Sequence, residues 1–235
     1  MNKSPIKFIL TDIEGTTSSV SFVVDVLFPY FLENSYKLLE MNDNVIVNQA
    51  FEETKSILQN EENRTISDLG EALEQWNHWC KIDRKITPLK SVQGLIWAEG
   101  FKSGVIQGHV YPDVERNFLE WTKQNYRLGV FSSGSVAAQR LLFGHSVDGD
   151  LTVFFSAYFD TTTGGKKEVE TYPKIANELN LEATEICFLS DIVEELEAAD
   201  KCGMITIQLL RENTVANWKT TAKDFDEVNS ILKGL

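Results

Sequence analysis

Cysteine and histidine are both scarce in this 235-residue sequence, with three of each. The cysteines are widely spaced, odd in number and form no C-x-x-C pair, so neither a disulfide framework nor a cysteine-type zinc site is predicted. The histidines have none of the H-x-x-x-H or H-x-x-E spacings that are typical of zinc ligands. We therefore expect a protein of the reducing cytoplasm that lacks a structural zinc.

Long hydrophobic runs and positive charge are also lacking. The longest apolar stretch, residues 151–159, is far too short to span a bilayer, and the N-terminal apolar run ends in charge, so neither a membrane helix nor a signal peptide is predicted. Twenty-two basic against 35 acidic residues give a formal charge of −13, the wrong sign for binding nucleic acid or an anionic membrane. We expect a small-molecule partner, no nucleic acid and no membrane.

The sequence does contain short apolar runs, with helical periodicities between them. The runs that we predict to be buried strands are residues 6–11, 127–132, 186–190 and 204–209. Between the first two, Val114, Phe118 and Trp121 recur at helical spacing, and similar patterns follow the second run. Because strands alternate with helices, we predict an α/β fold with a doubly wound parallel sheet.

The stretch after the first predicted strand departs from this alternation. It contains three amphipathic helical segments and no run that is typical of a strand. We therefore assign residues 1–18 and 105–235 to a Rossmann-like catalytic core and residues 19–104 to an inserted helical cap. An insertion at this point of a doubly wound fold is expected above the ligand-binding edge of the sheet, so we expect a lid. A helical subdomain with only a packing role is the alternative.

The strongest chemical signal is the segment D-I-E-G-T-T, which directly follows the first predicted strand. Asp12 and Glu14 leave the strand one residue apart, so both carboxylates can reach one pocket if the chain turns there. Gly15 allows backbone amides to approach a ligand closely. A solvated acidic turn at the end of a strand is the alternative interpretation.

Two weaker segments follow later in the chain. Ser132, Ser133 and Gly134 combine hydroxyls, flexible amides and the start of a helix, as anion sites do, although such clusters are usually turns and N-caps. Lys166 follows a glycine pair, in a segment that would otherwise be a solvated loop. Neither segment indicates a function by itself.

A fourth segment supplies further acids. Asp191 follows the apolar run 186–190, and Glu195 comes four residues later, a helical spacing that directs both toward the strand end. Acids at the ends of two strands, without cysteine or histidine nearby, favour a hard, oxygen-rich site for Mg²⁺. For Glu194 and Glu195 the alternative is an acidic first turn that complements the helix dipole.

The order of these segments is acid pair, hydroxyl, lysine and acid, and in this order the sequence resembles the haloacid dehalogenase superfamily of aspartate-nucleophile phosphohydrolases. The resemblance implies that Asp12 is the nucleophile and Glu14 the general acid and base. It implies that Ser132 and Lys166 hold the phosphoryl oxygens, and we expect the amides of Ser133 and Gly134 to assist. We predict one Mg²⁺ per chain, with Asp12, Glu14, Asp191 and Glu195 as its metal-binding residues.

Longer segments favour one family within the superfamily. D-I-E-G-T-T in place of the usual D-x-D, together with S-S-G-S-V-A-A-Q-R-L-L-F-G-H-S and Y-F-D-T-T-T-G-G-K-K-E, is similar to the enolase-phosphatases. The similarity runs nearly end to end and is weakest from residue 45 to 87. Ser19 stands where a proline is expected, and residues 211–213 lack an expected glycine.

The resemblance implies that 2,3-diketo-5-methylthiopentyl-1-phosphate is enolised and then dephosphorylated to an acireductone, a step of methionine salvage. We expect a monomer. A Mg²⁺-dependent phosphatase for another small phosphomonoester would share every catalytic residue and is one alternative. A phospho-aspartate receiver domain is the other, although its acceptor would lie mid-chain and it would need no insertion.

Overall fold

The computed structural model describes residues 6–234, and a parallel β-sheet lies at its centre. These residues contain six strands, β1 (Phe8–Thr11), β2 (Arg127–Phe131), β3 (Phe155–Phe159), β4 (Ile186–Ser190), β5 (Ile205–Leu209) and β6 (Thr221–Ala222). Their order in the sheet is β3-β2-β1-β4-β5-β6, and every neighbouring pair is parallel. The predicted α/β fold with a doubly wound parallel sheet is therefore confirmed.

The central strand β1 is buried along its whole length, as its apolar sequence predicts. Thr11 pairs with Val130 of β2 and with Leu189 of β4, so these three strands end at the same level. The amide of Asp12 extends the pairing by donating to the carbonyl of Leu189 at 2.9 Å. The residues that follow β1, β2 and β4 therefore meet at one edge of the sheet.

The two edge strands, β3 and β6, are not among the strands predicted from apolar runs. β3 is only partly buried and β6 has two residues, so neither has the continuous apolar pattern of a central strand. The other four strands agree with the predicted runs to within two residues at each end.

The described chain divides into two compact units, of which the helical one comprises Ser21–Gln107. All residues of this unit are described, and it contains no strand. Its helices, with α1 beginning one residue earlier, are α1 (Val20–Phe22), α2 (Phe28–Asn34), α3 (Val45–Glu62), α4 (Leu69–Lys81) and α5 (Thr87–Lys102). The side chains of Asn44 and Asp68 cap α3 and α4, and the buried indole of Trp76 donates to Thr54 Oγ1 at 2.8 Å.

The other unit contains the described residues up to Val20 and from Gly108 onward. Its helices are α6 (Val114–Lys123), α7 (Val136–Gly144), α8 (Thr171–Leu179), α9 (Val193–Lys201) and α10 (Phe225–Lys233). The junctions lie two and three residues after the expected ones. Among the described helices, none is both long enough and apolar enough to cross a membrane.

Candidate active site

Asp12 is the buried centre of the candidate site. It lies immediately after β1 and is 3% exposed. Its Oδ1 atom accepts a hydrogen bond from the amide of Ile13 at 2.7 Å. Because the strands on both sides of β1 end at the same level, side chains from three loops can reach this carboxylate.

Lys166 connects Asp12 with Glu195. Its Nζ atom lies 2.6 Å from Asp12 Oδ1 and 2.7 Å from Glu195 Oε2, and all three side chains are buried. Ser190 Oγ donates to the same Glu195 oxygen at 2.8 Å. The structure thus brings together residues that are distant in the sequence, and Glu195, predicted as a metal ligand, pairs with the lysine here.

Burial and neighbouring charges shift the pKa values of Asp12 and Lys166. Burial raises the pKa of Asp12 well above its ordinary value; Lys166 opposes this, while Glu195 and Glu14 raise the pKa further. Burial alone would lower the pKa of Lys166, but Asp12 and Glu195 outweigh it and hold that pKa above its ordinary value. Lys166 therefore stays an ammonium ion, and positive charge beside Asp12 favours the ionised form of that carboxyl.

Glu14 and the loop after β2 meet through a hydroxyl. Ser132 Oγ donates to Glu14 Oε2 at 3.2 Å and accepts from the amide of Gly134 at 3.1 Å. Ser132 is fully buried, whereas Ser133 and Gly134 are partly exposed. The amide of Gly134, predicted to assist a phosphoryl group, is thus engaged by Ser132, and its binding role stays a prediction.

Asp191 packs closely against the loop that carries Asp12 and Glu14. Gly15 adopts a φ of +73°, and a Cβ atom there would lie 2.5 Å from Asp191 Oδ2. Within residues 6–234, Asp191 Oδ1 is buried and has no hydrogen-bond partner. Burial raises the pKa of Asp191 to about 6, with a further contribution from Glu195. A buried carboxylate oxygen without a donor favours a bound cation.

The donor set fits a divalent metal only in part. In the described part of the chain, no group of three or more His, Cys, Asp or Glu side chains is arranged to hold a metal ion. Asp12 and Asp191 nevertheless supply hard oxygen ligands, and the unpartnered Oδ1 of Asp191 has the chemistry that such an ion requires. Two carboxylates suffice for Mg²⁺, which commonly completes its shell with water and phosphate. Ligation by Glu14 and Glu195 stays a prediction.

A buried ion pair that the sequence analysis missed anchors the D-I-E-G-T-T segment. The guanidinium of Arg211 donates to both oxygens of Asp113, at 2.9 and 2.6 Å, and its Nε atom donates to the carbonyl of Thr16 at 3.1 Å. Arg211 comes two residues after β5, a strand that ends at the same edge of the sheet. Its position after a strand is the sequence signal that could have identified it.

The two departures from the enolase-phosphatase pattern contact each other. Ser19 Oγ donates to Glu212 Oε1 at 2.5 Å, and the hydroxyl of Tyr111 donates to the same oxygen at 3.1 Å. Glu212 has a φ of +47°, a left-handed conformation that favours glycine. A glycine would adopt this conformation at lower cost. Glu212 instead accepts hydrogen bonds from Ser19, which follows the D-I-E-G-T-T segment, and from Tyr111.

A comparison with protein-family models and a comparison with known proteins both indicate a hydrolase. A model of the haloacid dehalogenase-like hydrolase family matches residues 6–203. The chain is 44% identical to enolase-phosphatase E1 of Marinobacter nauticus over 230 residues, which are 97% of this chain and 99% of that protein. It is 48% identical to enolase-phosphatase E1 of Pseudomonas syringae pv. tomato over 216 residues, 90% of this chain and 92% of that protein.

The fold is also similar to that of proteins of known structure. The UTR4 protein of Saccharomyces cerevisiae matches with a TM-score of 0.76 at 31% identity, covering 94% of this chain and 99% of that one. The L-2-haloacid dehalogenase of Xanthobacter autotrophicus, with chloropropionic acid covalently bound, matches with a TM-score of 0.59 at 12% identity over 98% and 99% of the two chains. At such low identity, the second likeness concerns the fold alone.

Proposed function

The chain belongs to the haloacid dehalogenase-like hydrolases and, within them, to the enolase-phosphatases, and from this premise we propose its reaction. It converts 2,3-diketo-5-methylthiopentyl-1-phosphate into 1,2-dihydroxy-3-keto-5-methylthiopentene and phosphate, a step of methionine salvage. The substrate is first enolised and then dephosphorylated. The observation that carries the proposal is a buried aspartate, Asp12, held by Lys166 at the end of the central strand.

Asp12 is the nucleophile of the second half-reaction. Its Oδ1 atom accepts hydrogen bonds from Lys166 and from the amide of Ile13, so we assign attack on phosphorus to Oδ2. A bond from Oδ2 to phosphorus forms while the bond from phosphorus to the C1 oxygen breaks. Lys166 neutralises negative charge on Asp12. Because its ammonium group lies beside the attacking carboxylate, it also neutralises negative charge on the phosphoryl group during transfer.

Glu14 moves the protons of the two steps. As a carboxylic acid it donates a proton to the leaving oxygen, and as a carboxylate it then takes one from the water that attacks the aspartyl phosphate. That attack releases phosphate and restores Asp12. The hydroxyl of Ser132 holds Glu14 Oε2 at 3.2 Å, which supports this assignment because a proton carrier must be held at a fixed position.

The family implies a divalent metal, and we propose that it is Mg²⁺, one per chain, held by Asp12 and Asp191. When bound, the ion would supply positive charge that favours ionised Asp12 and polarises the oxygens of the substrate. For enolisation, a base takes the C1 proton while the Lys166 ammonium stabilises the negative charge that develops on the diketone, and the enolate oxygen is then protonated to give the enol.

Three further assignments from the sequence complete the proposal: the role of the helical insertion, the oligomeric state and the cellular compartment. The inserted helical segment, residues 19–104, is assigned the role of a lid because it follows the first strand of a doubly wound fold. The enzyme works as a monomer, and it works in the cytoplasm, in keeping with its three unpaired cysteines.

The test is turnover of the diketone phosphate by the purified protein, with Mg²⁺ and after exhaustive chelation. We expect phosphate release and a product with the mass of the acireductone, both lost on chelation. Full activity after chelation would contradict the metal assignment. Release of phosphate from other small phosphomonoesters but none from the diketone phosphate would replace the proposal with a general phosphatase.

A further inference from the structure

Tyr172, which has no part in the reaction described above, contacts both partners of the Lys166–Glu195 pair. Its side chain is fully buried in the first turn of α8. Its hydroxyl donates to the backbone carbonyl of Lys166 at 2.5 Å and to that of Glu195 at 3.0 Å. One hydroxyl group therefore joins the segment that carries the lysine to the helix that carries the glutamate.

The segment of Lys166 depends on such contacts because it lacks regular secondary structure. Residues 160–170 lie between β3 and α8 and contain isolated turn hydrogen bonds, such as that from the amide of Glu168 to the carbonyl of Gly165 at 3.1 Å, but no hydrogen-bond ladder. Thr171 Oγ1 donates to the carbonyl of Gly165 at 2.9 Å, next to the carbonyl that Tyr172 engages. The first turn of α8 thus fixes two successive carbonyls, one of them that of Lys166.

The ring of Tyr172 cannot easily move away from these carbonyls. It lies 6.0 Å from the ring of Phe131 and 5.5 Å from that of Phe188, measured between centroids, within the buried core. The position of the donor is therefore set by packing, independently of any substrate.

We propose that Tyr172 is a positioning residue for the phosphoryl-transfer step, which it serves by holding the Lys166 segment against α9. The inference rests on the proposed role of Lys166. Without the hydroxyl, we expect residues 160–170 to become more mobile. The ammonium group of Lys166 would then no longer be held at 2.6 Å from Asp12 and 2.7 Å from Glu195. Small displacements of this kind are costly to catalysis, because the transition state requires the donor at a fixed position.

The first test compares Tyr172→Phe with Tyr158→Phe. Both changes remove one hydroxyl from a ring of the same unit, but in the described part of the chain the buried hydroxyl of Tyr158 has no hydrogen-bond partner. We expect Tyr172→Phe to lower kcat about 10-fold with KM nearly unchanged, since orientation is lost but binding is retained. Tyr158→Phe should leave both constants unchanged. Equal effects, or failure of Tyr172→Phe to fold, would overturn the inference.

A second test asks whether Tyr172 acts through Lys166. In a Lys166→Ala background, the Tyr172→Phe change should lower kcat less than about twofold, because coupled residues are not additive. A full 10-fold effect in both backgrounds would show a merely structural role.

A third measurement does not depend on the reaction. Amide hydrogen exchange in residues 160–170 should become faster in Tyr172→Phe and stay unchanged in Tyr158→Phe. If the exchange is unaffected, Tyr172 does not hold the segment, whatever the activities are. Exchange could accelerate while the wild type releases no phosphate from the diketone phosphate. That result would contradict the proposed function but would still show that Tyr172 holds residues 160–170.

Discussion

Two sides of the candidate site differ in how well their charges are partnered. On the lysine side, Lys166 lies between Asp12 and Glu195, and Ser190 donates to the glutamate. On the aspartate side, Asp191 packs against Gly15 with one buried oxygen that has no partner in the described part of the chain. The charged groups of the lysine side are all partnered by protein side chains, whereas one buried oxygen of the aspartate side is not.

This difference separates two ways of stabilising a phosphoryl group. A lysine that is already fixed between carboxylates acts as a preorganised charge, which costs no reorganisation when the transition state forms. An unpartnered buried carboxylate is unfavourable until a cation arrives, so binding of the metal relieves it. We therefore expect changes on the lysine side to alter turnover and changes on the aspartate side to alter metal affinity and stability.

The largest effect is expected from Asp12→Asn, which removes the residue of the lysine side that reacts. The amide keeps the shape of the carboxylate but cannot attack phosphorus, so phosphate release should fall on the order of 10³-fold or more. Enolisation requires only a base and a polarised carbonyl, so the enol phosphate should accumulate with its ultraviolet absorbance. Following both signals with excess Mg²⁺ measures the two half-reactions separately.

That prediction has its own control. Circular dichroism and metal titration are used to test whether the Asp12→Asn protein is folded and binds the ion. A folded, metal-bound variant that showed no change in absorbance would implicate Asp12 in both half-reactions and contradict the division of roles.

The next effect distinguishes two neighbouring lysines. Lys166→Ala should lower kcat on the order of 10²-fold, because it removes the buried donor between Asp12 and Glu195. Lys167 is 63% exposed and lies 3.9 Å from Glu194, so Lys167→Ala should be nearly silent. Steady-state kinetics on both variants decide this, and equal losses would show that the preorganised charge is not Lys166.

On the aspartate side, Gly15→Ala can be compared with Gly104→Ala. Both glycines have a φ of +73°, so both alanines pay a similar backbone penalty of about 1 kcal/mol. Only at position 15 would the new Cβ atom strike Asp191, at 2.5 Å from Oδ2, whereas nothing lies within 4 Å at position 104. We expect Gly15→Ala alone to weaken Mg²⁺ binding, roughly 10-fold, as for other changes that reorient a metal ligand.

Calorimetric titration of Mg²⁺ into the two variants tests this. Equal affinities would mean that Asp191 adapts to the added methyl group or does not ligate the metal, and either result would remove the contrast between the two sides.

The sequence predicted the parts of the site that follow from strand order. Asp12, Ser132 and Asp191 each lie just after a strand, and parallel strands place their carboxyl ends at one edge. The central strands could be found for the same reason, because burial on both faces requires continuous apolar runs. The edge strands β3 and β6 lack that requirement and were missed.

What the sequence did not predict depends on loops and on side-chain pairing. The bridge from Lys166 to Glu195 requires the conformation of residues 160–170, which has no periodic pattern. The Arg211–Asp113 pair joins residues 98 positions apart, and its apolar surroundings become visible only in three dimensions. The contacts of the Tyr172 hydroxyl with the carbonyls of Lys166 and Glu195 likewise depend on the conformation of residues 160–170.

The smallest expected effect is on the pH dependence of stability, and it belongs to the aspartate side. Because burial raises the pKa of Asp191 to about 6, the folded, metal-free protein holds this proton more tightly than the unfolded chain does. The stability that this proton provides is fully present below the ordinary pKa of 3.8 and is lost as pH rises through about 6. Asp191→Asn, which cannot ionise, should avoid that loss.

Urea unfolding of chelated wild type and Asp191→Asn at pH 5 and pH 7.5 measures the difference in free energy of unfolding. We expect the variant to gain on the wild type between these pH values by roughly 1 kcal/mol or less, since partial exposure of Asp191 screens its charge. Saturating Mg²⁺ at pH 7.5 should restore the wild type and not the variant, because the ion stabilises only the protein that retains its ligand. If the difference in free energy of unfolding between the two proteins is independent of pH, the buried charge of Asp191 does not destabilise the metal-free protein. The two sides of the site would then be alike.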